Sequence, residues 1–330
     1  MLKLILFLLF TQLTASTVFS QRIDILASGR ETSLRGLSVV SDRVIWVCGS
    51  NGTVARSADS GHSWHWMKPS RFADADFRDI HAYNDSEALV LGVTRPAVIL
   101  KTRDGGRNWQ VVFQSDDDSL FLDAMELSGP EGLLLGDPVQ GKIFLARTTD
   151  SGQNWTRLND PPSASAGEAF FAASGSNICL LPHGRYAFVS GGLSSRLFLD
   201  SLSYKLSLNQ GKVTTGANSI SVSPSNPNSA FITGGDFNDD RSNAGNSLLV
   251  QLNPFSQKKP VQPPHGYRSC VDWVNAHDLV ACGTSGIDWS SDGGMHWRLI
   301  SDKGFHVCRK SPGSNLIFLA GPKGTIGRLQ

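Results

Sequence analysis

The feature that most constrains this chain is one line of sequence written four times. SADSGHSW at 57–64, TRDGGRNW at 102–109, TTDSGQNW at 148–155 and SSDGGMHW at 290–297 all read Ser/Thr-x-Asp-x-Gly-x-x-Trp. Their aspartates, Asp59, Asp104, Asp150 and Asp292, stand 45, 46 and 142 residues apart. The last interval is close to three steps of about 47, which leaves room for two units without the line. A period of this length is the signature of propeller blades, each a small sheet that cannot bury its own faces.

The residues between the lines fit that reading. Over 35–68 the runs LRGLSVV, VIWVCG, TVARSAD and SWHWMK are four short strands separated by turn residues, the content of one blade. The same order recurs through DFRDIHA, ALVLGV, AVILKTRD and NWQVVF, then LFLDAME, GLLLGD, KIFLARTTD and NWTRL. Two units lack the line but keep strands: EAFFAAS, YAFVSGG and RLFLDSL, then ANSISVS, AFITGGD and SLLVQL. YRSCVDW, LVACGT, GIDWSSD and HWRLI make a sixth, and FHVCRKS, LIFLAG and TIGRLQ a seventh that stops one strand short at Gln330. RIDILAS at 22–28 would supply the missing outer strand, because a ring avoids an exposed edge by closing on itself. The expectation is an all-β, seven-bladed propeller of four-stranded antiparallel blades, one domain over 21–330, with blades starting near 35, 77, 120, 168, 217, 267 and 305. Six or eight blades are the rival counts, and a single β-sandwich fits less well.

Each line falls between the third and fourth strand of its blade, where local roles account for its residues. Asp59, Asp104, Asp150 and Asp292 can accept backbone N–H groups of the turn. Gly61, Gly106, Gly152 and Gly294 can supply a left-handed backbone angle. Trp64, Trp109, Trp155 and Trp297 start the outer strand with a large ring to bury. None of these roles needs a ligand.

These lines resemble the Asp-box, or BNR, repeat found in sialidases and many other propellers. The wider chain is similar to exported propellers of the photosystem II stability and assembly factor type (Ycf48/Hcf136-like). RGLSVVSDRVIWVCGSNGTVARSADSG, DFRDIHA, GDPVQGKIFLARTTDSG, GEAFFAASGSNI and GTSGIDWSSDGG carry that likeness, which covers essentially all of 30–330. The resemblance implies a seven-bladed scaffold for binding or assembly, with the boxes on the face away from the functional one. It does not imply a photosynthetic role, and the link to the sialidase superfamily is distant.

The chain begins with a secretory pattern. Lys3 precedes the apolar run LILFLLF, and TASTVFSQ ends in small residues suited to cleavage before Gln21. Residues 1–20 are therefore read as a signal peptide, too short in its apolar run to span a bilayer. No cysteine follows as a lipid-attachment site, so a soluble exported protein, periplasmic or extracellular, is expected, and separately a monomer. Charged residues are 18% and the net charge is +1, which gives no field for nucleic acid. Cys48, Cys179, Cys270, Cys282 and Cys308 include no CxxC pair, so zinc is not supported. Cys270 and Cys282 stand at mirror positions about NAH; they are either a cross-strand disulfide or two buried thiols. No nucleophile elbow and no glycine-rich strand-to-helix loop occurs, and no cofactor is expected.

In a propeller, the starts of the inner strands and the loops after the second strands open on the face opposite the box hairpins. The inner-strand set is Arg35, Arg78 with Asp79, Asp123, Glu168, Asn218, Tyr267 with Arg268, and His306. The loop set is Asn51, Arg95, Asp137, Arg196, Asp236 and Lys323. Polar groups converging on a funnel are how such a fold presents a site. Arginines beside carboxylates would suit an anionic or polyhydroxylated ligand, a protein or a glycan. The competing interpretation is that they pair with one another. DFNDD at 236–240 has oxygens at alternate positions, as calcium loops do, but lacks the later Gly and Glu, and reads better as a solvated loop. No metal site is assigned.

Three functions follow. The first is a binding or assembly scaffold working through the funnel. The second is a glycoside hydrolase, sialidase-like, for which Asp79, Asp123 and Glu168 would supply carboxylates and Tyr267 a nucleophile. The Arg-Ile-Pro line of sialidase domains is absent, RID at 22–24 being the nearest string. The third is a non-catalytic structural protein of the envelope whose funnel is filled by its own ion pairs.

Overall fold

The computed structural model describes residues 21–330; the expected signal peptide lies outside the described residues. The chain forms seven antiparallel sheets arranged as blades of a ring. Inner strands of the blades are Leu34–Val39, Phe77–Ala82, Leu122–Ser128, Ile178–Leu181, Thr215–Ser223, Cys270–Trp273 and Val307–Lys310. Each packs on the next, and the seventh packs on the first, so the ring is closed. Ile23–Ala27 pairs with Ile326–Leu329, with Ile23 opposite Leu329 and Asp24 opposite Arg328. The N-terminal strand is thus the outer strand of the last blade. Among the described residues no helix is long and apolar enough to cross a membrane.

The core lies between blades rather than within them. The second strands Ile45–Gly49, Ala88–Gly92 and Leu279–Gly283 are buried along their whole length, because both faces meet a neighbouring sheet. One apolar cluster joins Leu34, Val47, Cys270, Cys282, Phe305, Cys308, Phe318 and Leu329, tying blades six, seven and one together.

The four repeated lines are hairpins of one geometry. In the first, the Ser57 hydroxyl donates to Asp59 Oδ1 at 2.8 Å and accepts from the Gly61 N–H at 2.9 Å. Asp59 also accepts from the Ser63 N–H at 2.8 Å and hydroxyl at 2.6 Å. Asn108 and Asn154 repeat the double contact to Asp104 and Asp150, and the His296 ring does so on Asp292. The residue before each tryptophan is therefore part of the turn, a role the eight-residue line did not reveal. These hydrogen bonds hold the carboxyls of Asp59, Asp104 and Asp150 down at about 2. Trp64, Trp109 and Trp297 donate their indole N–H to the box glycine carbonyl at 3.0–3.1 Å.

The box glycines carry a second duty. Gly61, Gly106, Gly152 and Gly294 have φ of +84°, +89°, +74° and +90°. A Cβ on each would run into the preceding blade: Leu26, Met67, Leu89 and Phe231 respectively. The hairpin thus both turns the strand and docks its blade on the one before. Blades four and five need no such device. They close the same hairpin in two residues, with Leu199 opposite Leu202 and Leu252 opposite Phe255.

The fourth blade differs from expectation. Its inner strand is Ile178–Leu181, ten residues beyond the expected start near 168, and its outer strand is Leu202–Lys205. Only Glu168–Ala169 of EAFFAAS is extended; it pairs with Gly191–Gly192, which continues onto Gly216 of blade five. Its two phenylalanines both reach the mouth of the ring, Phe170 from within an apolar cluster of the core.

Gly294 and its neighbour Gly293 separate turn strain from blade docking. Both have positive φ, but a Cβ on Gly293 meets nothing, whereas one on Gly294 meets Phe231 at 2.5 Å. Gly294→Ala is expected to lose roughly 2 kcal/mol more stability than Gly293→Ala, by overpacking. Urea unfolding of the two variants measures it; equal losses would show that the blade contact contributes nothing.

Candidate functional site

Alternating strand direction fixes which residues meet at the ring's axis. Inner strands begin at one end of the channel, and the second-to-third loops return there. The first-to-second turns and the repeated hairpins lie together at the other end. Ser60, Gly105, Ser151 and Gly293 of the hairpins donate backbone hydrogen bonds to Arg43, Ser86, Pro130 and His277 of those turns.

At the first end is a cavity of about 490 Å³. Every blade contributes: Arg35, Arg78, Phe121 with Asp137, Phe170 and Phe171, Asn218 with Phe237, Tyr267 with Ser269 and Thr284, and His306. One side is aromatic. Phe237 meets Phe171 edge-on with centroids 5.8 Å apart, and Tyr267 at 6.3 Å. The rim continues apolar, with Phe237, Leu193 and Val213 all exposed.

The opposite side is cationic, and its charges are not equally satisfied. Arg78 donates Nε to Asp76 at 2.8 Å and Nη1 to the Ala172 carbonyl at 3.2 Å. Arg35 makes no ion pair or hydrogen bond among the described residues. Burial and then the Arg78 charge lower its pKa. His306 shares a hydrogen bond with the Ser33 hydroxyl at 3.0 Å. Burial, then Arg35 and Arg78, push it to about 3, so it is neutral. Asp137 accepts the Phe170 N–H at 2.9 Å, and burial raises its pKa. The Tyr267 hydroxyl donates to Asn218 Oδ1 at 2.8 Å, and burial raises its pKa too.

Other sequence-derived candidates lie elsewhere. Arg268 is fully buried and donates Nε to Asp288 at 2.6 Å and Nη1 to Ser285 at 3.0 Å. Arg196 grips Glu168, whose carboxylate also accepts from Ser190 and from the Ser165 N–H. Asp236 takes the Asn238 N–H at 3.0 Å and faces Lys212 at 3.3 Å. Arg95 is exposed on the loop after its blade's second strand, outside the cavity. Asp123 is fully buried with neither oxygen hydrogen-bonded; burial and the nearby Asp137 charge push its pKa well up. Of the four hydrolase candidates, only Tyr267 lines the funnel. In DFNDD, Asp240 accepts from the Thr284 hydroxyl at 2.6 Å. Among the described residues no group of three or more His, Cys, Asp or Glu side chains is placed to hold a metal ion.

Asp79 opens on a second, smaller cavity of about 150 Å³ deeper in the channel, with Glu126, His81, Arg309 and Lys310. Its carboxylate accepts the Ile80 and Met125 N–H groups, both at 2.8 Å. Burial raises Asp79 to about 8 and Glu126 to about 7, against the opposing charge of Arg309. Sequence reasoning missed Glu126, Arg309 and the phenylalanines. The first two were legible as polar residues inside MELSG and VCRKS; the aromatics looked like core.

A family model described as photosynthesis system II assembly factor YCF48 matches residues 72–164. The photosystem II assembly lipoprotein Ycf48 of Synechococcus sp. (strain CC9902) is 30% identical over 33% of this chain and 32% of its own length. The photosystem II stability/assembly factor HCF136 of Arabidopsis thaliana is 26% identical over 44% of this chain and 38% of its own. The matched stretches thus span about a third of each curated relative. A solved structure titled YCF48 bound to D1 peptide superposes with TM-score 0.67 at 16% identity, covering 94% of both chains. A GH74 xyloglucanase from Xanthomonas campestris superposes at 0.62 and 13% identity over 93% of this chain and 53% of its own. At these identities the superpositions speak for the fold alone. The chain is a seven-bladed propeller similar to the Ycf48 type.

The acids of the smaller cavity set a pH dependence. Glu126 keeps its proton when folded up to about pH 7, while the unfolded carboxyl loses it at about 4.3. Its contribution to stability is fully present below the lower value and is lost as pH rises through the upper one. Glu126→Gln should flatten the fall in stability between pH 4 and 7, followed by denaturant midpoints across that range. A slope unchanged from wild type would mean that Glu126 ionises normally.

Proposed function

We propose that this Ycf48-like propeller is an assembly factor that holds a segment of another protein in its funnel. The bound segment presents an anionic group to Arg35 and an apolar side chain to the wall of Phe171, Phe237 and Tyr267. The observation that carries this reading is the Arg35 guanidinium. It is partly buried beside a second arginine and lacks an acceptor, whereas Arg78, Arg196 and Arg268 have theirs. A partly buried cation crowded by a second arginine favours an anion, which would meet it with a charge-assisted, bidentate contact. The relative titled as bound to D1 peptide supports a polypeptide over other anions. We place the protein outside the cytoplasm, carried by the N-terminal leader, and acting as a monomer without a cofactor.

A glycan in the same funnel, cleaved as by a glycoside hydrolase, is the alternative. The GH74 neighbours share the fold with it. Glu168 and Asp123 weigh against it, since one is locked to Arg196 and the other is sealed from the cavity. A purely structural envelope protein would need the funnel cations paired internally, and Arg35 is not.

A displayed library of linear peptides selected on the purified protein tests the reading. Enriched peptides should carry an acidic group near an aromatic or aliphatic side chain. Arg35→Glu should weaken them roughly 10–100-fold, the worth of one charged hydrogen-bonded contact plus repulsion. Peptides that bind Arg35→Glu as well as wild type would overturn it. Hydrolysis of chromogenic glycosides, abolished by Tyr267→Phe, would favour the glycan reading instead.

A further inference from the structure

Three of the five cysteines meet in the seam between blades six and seven. Cys270 lies on the inner strand Cys270–Trp273, and Cys282 stands directly opposite it on Leu279–Gly283. Cys308 lies on the inner strand of the next blade, Val307–Lys310. All three are fully buried in one apolar cluster, and all are free thiols. The Cys270 sulfur is the hub. It donates to the Cys308 carbonyl at 3.3 Å and accepts from Arg309 Nη1 at 3.0 Å and from the Ser176 hydroxyl at 3.6 Å.

That Arg309 contact is unusual for a buried, otherwise apolar thiol. The guanidinium also donates to the Cys308 carbonyl at 3.0 Å and, through Nη2, to the Ser174 carbonyl at 3.1 Å, so its plane is fixed against the sulfur. Burial opposes ionisation of Cys270, but hydrogen bonds with Cys282 and Cys308 and the Arg309 charge outweigh it. A thiolate is the reactive form in disulfide exchange.

The ladder decides which neighbour is the better partner. The Val274 N–H donates to the Asp278 carbonyl at 2.8 Å. The strand register places Cys270 and Cys282 four residues from that pair on each strand, so they too form a hydrogen-bonded pair. Side chains of such pairs stand wider apart than those of the alternate kind, the less favourable spacing for a disulfide, whose Cβ atoms lie about 3.5–4.5 Å apart. Cys308 approaches from the facing sheet, without that constraint.

We propose that Cys270 and Cys308 form a reversible disulfide that covalently joins blade six to blade seven. The co-reactant is a small-molecule disulfide of the glutathione type. The Cys270 thiolate attacks one of its sulfurs, forming a mixed disulfide and expelling one thiolate, which takes up a proton. Cys308, giving up its proton, attacks the Cys270 sulfur and expels the second thiolate. Two cysteine thiols are oxidised and one disulfide is reduced to two thiols. Because the sulfurs are sealed in the folded ring, exchange takes place before the N-terminal strand closes it, with Val307–Lys310 already against Cys270–Trp273 so that Arg309 lies on the Cys270 sulfur.

The test maps thiols in two preparations of the full mature chain. One is secreted into an oxidising compartment and quenched directly with an alkylating agent. The other is refolded in buffers of graded oxidised-to-reduced glutathione, then acid-quenched and alkylated in denaturant. Peptide mass mapping should find a Cys270–Cys308 link in the oxidised samples, lost on adding dithiothreitol. Cys48, Cys179 and Cys282 should carry the alkyl group throughout. The linked form should melt several degrees higher than the reduced form, and the link should survive Cys282→Ala. Five alkylated cysteines in every sample, or a link from Cys270 to Cys282, would overturn the proposal.

Discussion

Everything at the axis of this molecule depends on one strand pairing, that of Ile23–Ala27 with Ile326–Leu329. Without it the last blade has an open edge, and the funnel, which draws a residue from every blade, has no reason to hold its shape. The same strand also receives the first repeated hairpin. Gly61 has no Cβ where Leu26 lies, so blade one docks on the element that closes the ring. Closure and blade docking are therefore one event rather than two.

The two ends of the channel divide the chemistry. At the hairpin end, the aspartates direct their hydrogen-bonding capacity to their own turns. At the funnel end, most charged side chains are also matched: Arg268 with Asp288, Arg196 with Glu168, Arg78 with Asp76. Among the arginines lining the cavity, subtracting those pairs leaves Arg35, across from an aromatic wall. A funnel rich in polar residues is common to propellers; an unmatched cation in it points to a ligand.

How much of this was legible in the sequence depended on range. The repeated hairpins were, because each works within eight residues. The blade count and the closing strand followed from the period and from the missing last strand. The start of the fourth blade was not, since EAFFAAS is a short apolar run that reads as a strand while only Glu168 and Ala169 pair. The candidate site was half legible. Arg35, Arg78, Asp137 and His306 stood at polar positions and do line the funnel. Glu168 and Arg268 stood at equivalent positions and are buried in pairs. Their partners lie 28 and 20 residues away, and no local pattern announces them. Phe171 and Phe237 were missed for the opposite reason, that an aromatic facing a funnel and one facing the core look alike in sequence.

The central claim is that the ligand sits in the funnel and not on the hairpin face. Hydrogen exchange of the free protein and of its complex with an acidic peptide selected for binding tests this most directly. The account predicts slowed exchange in the backbone of Phe170–Ala173 and around Phe237, with the hairpins at 57–64, 102–109, 148–155 and 290–297 unchanged. Protection confined to those hairpins, with the funnel segments exchanging as before, would contradict it.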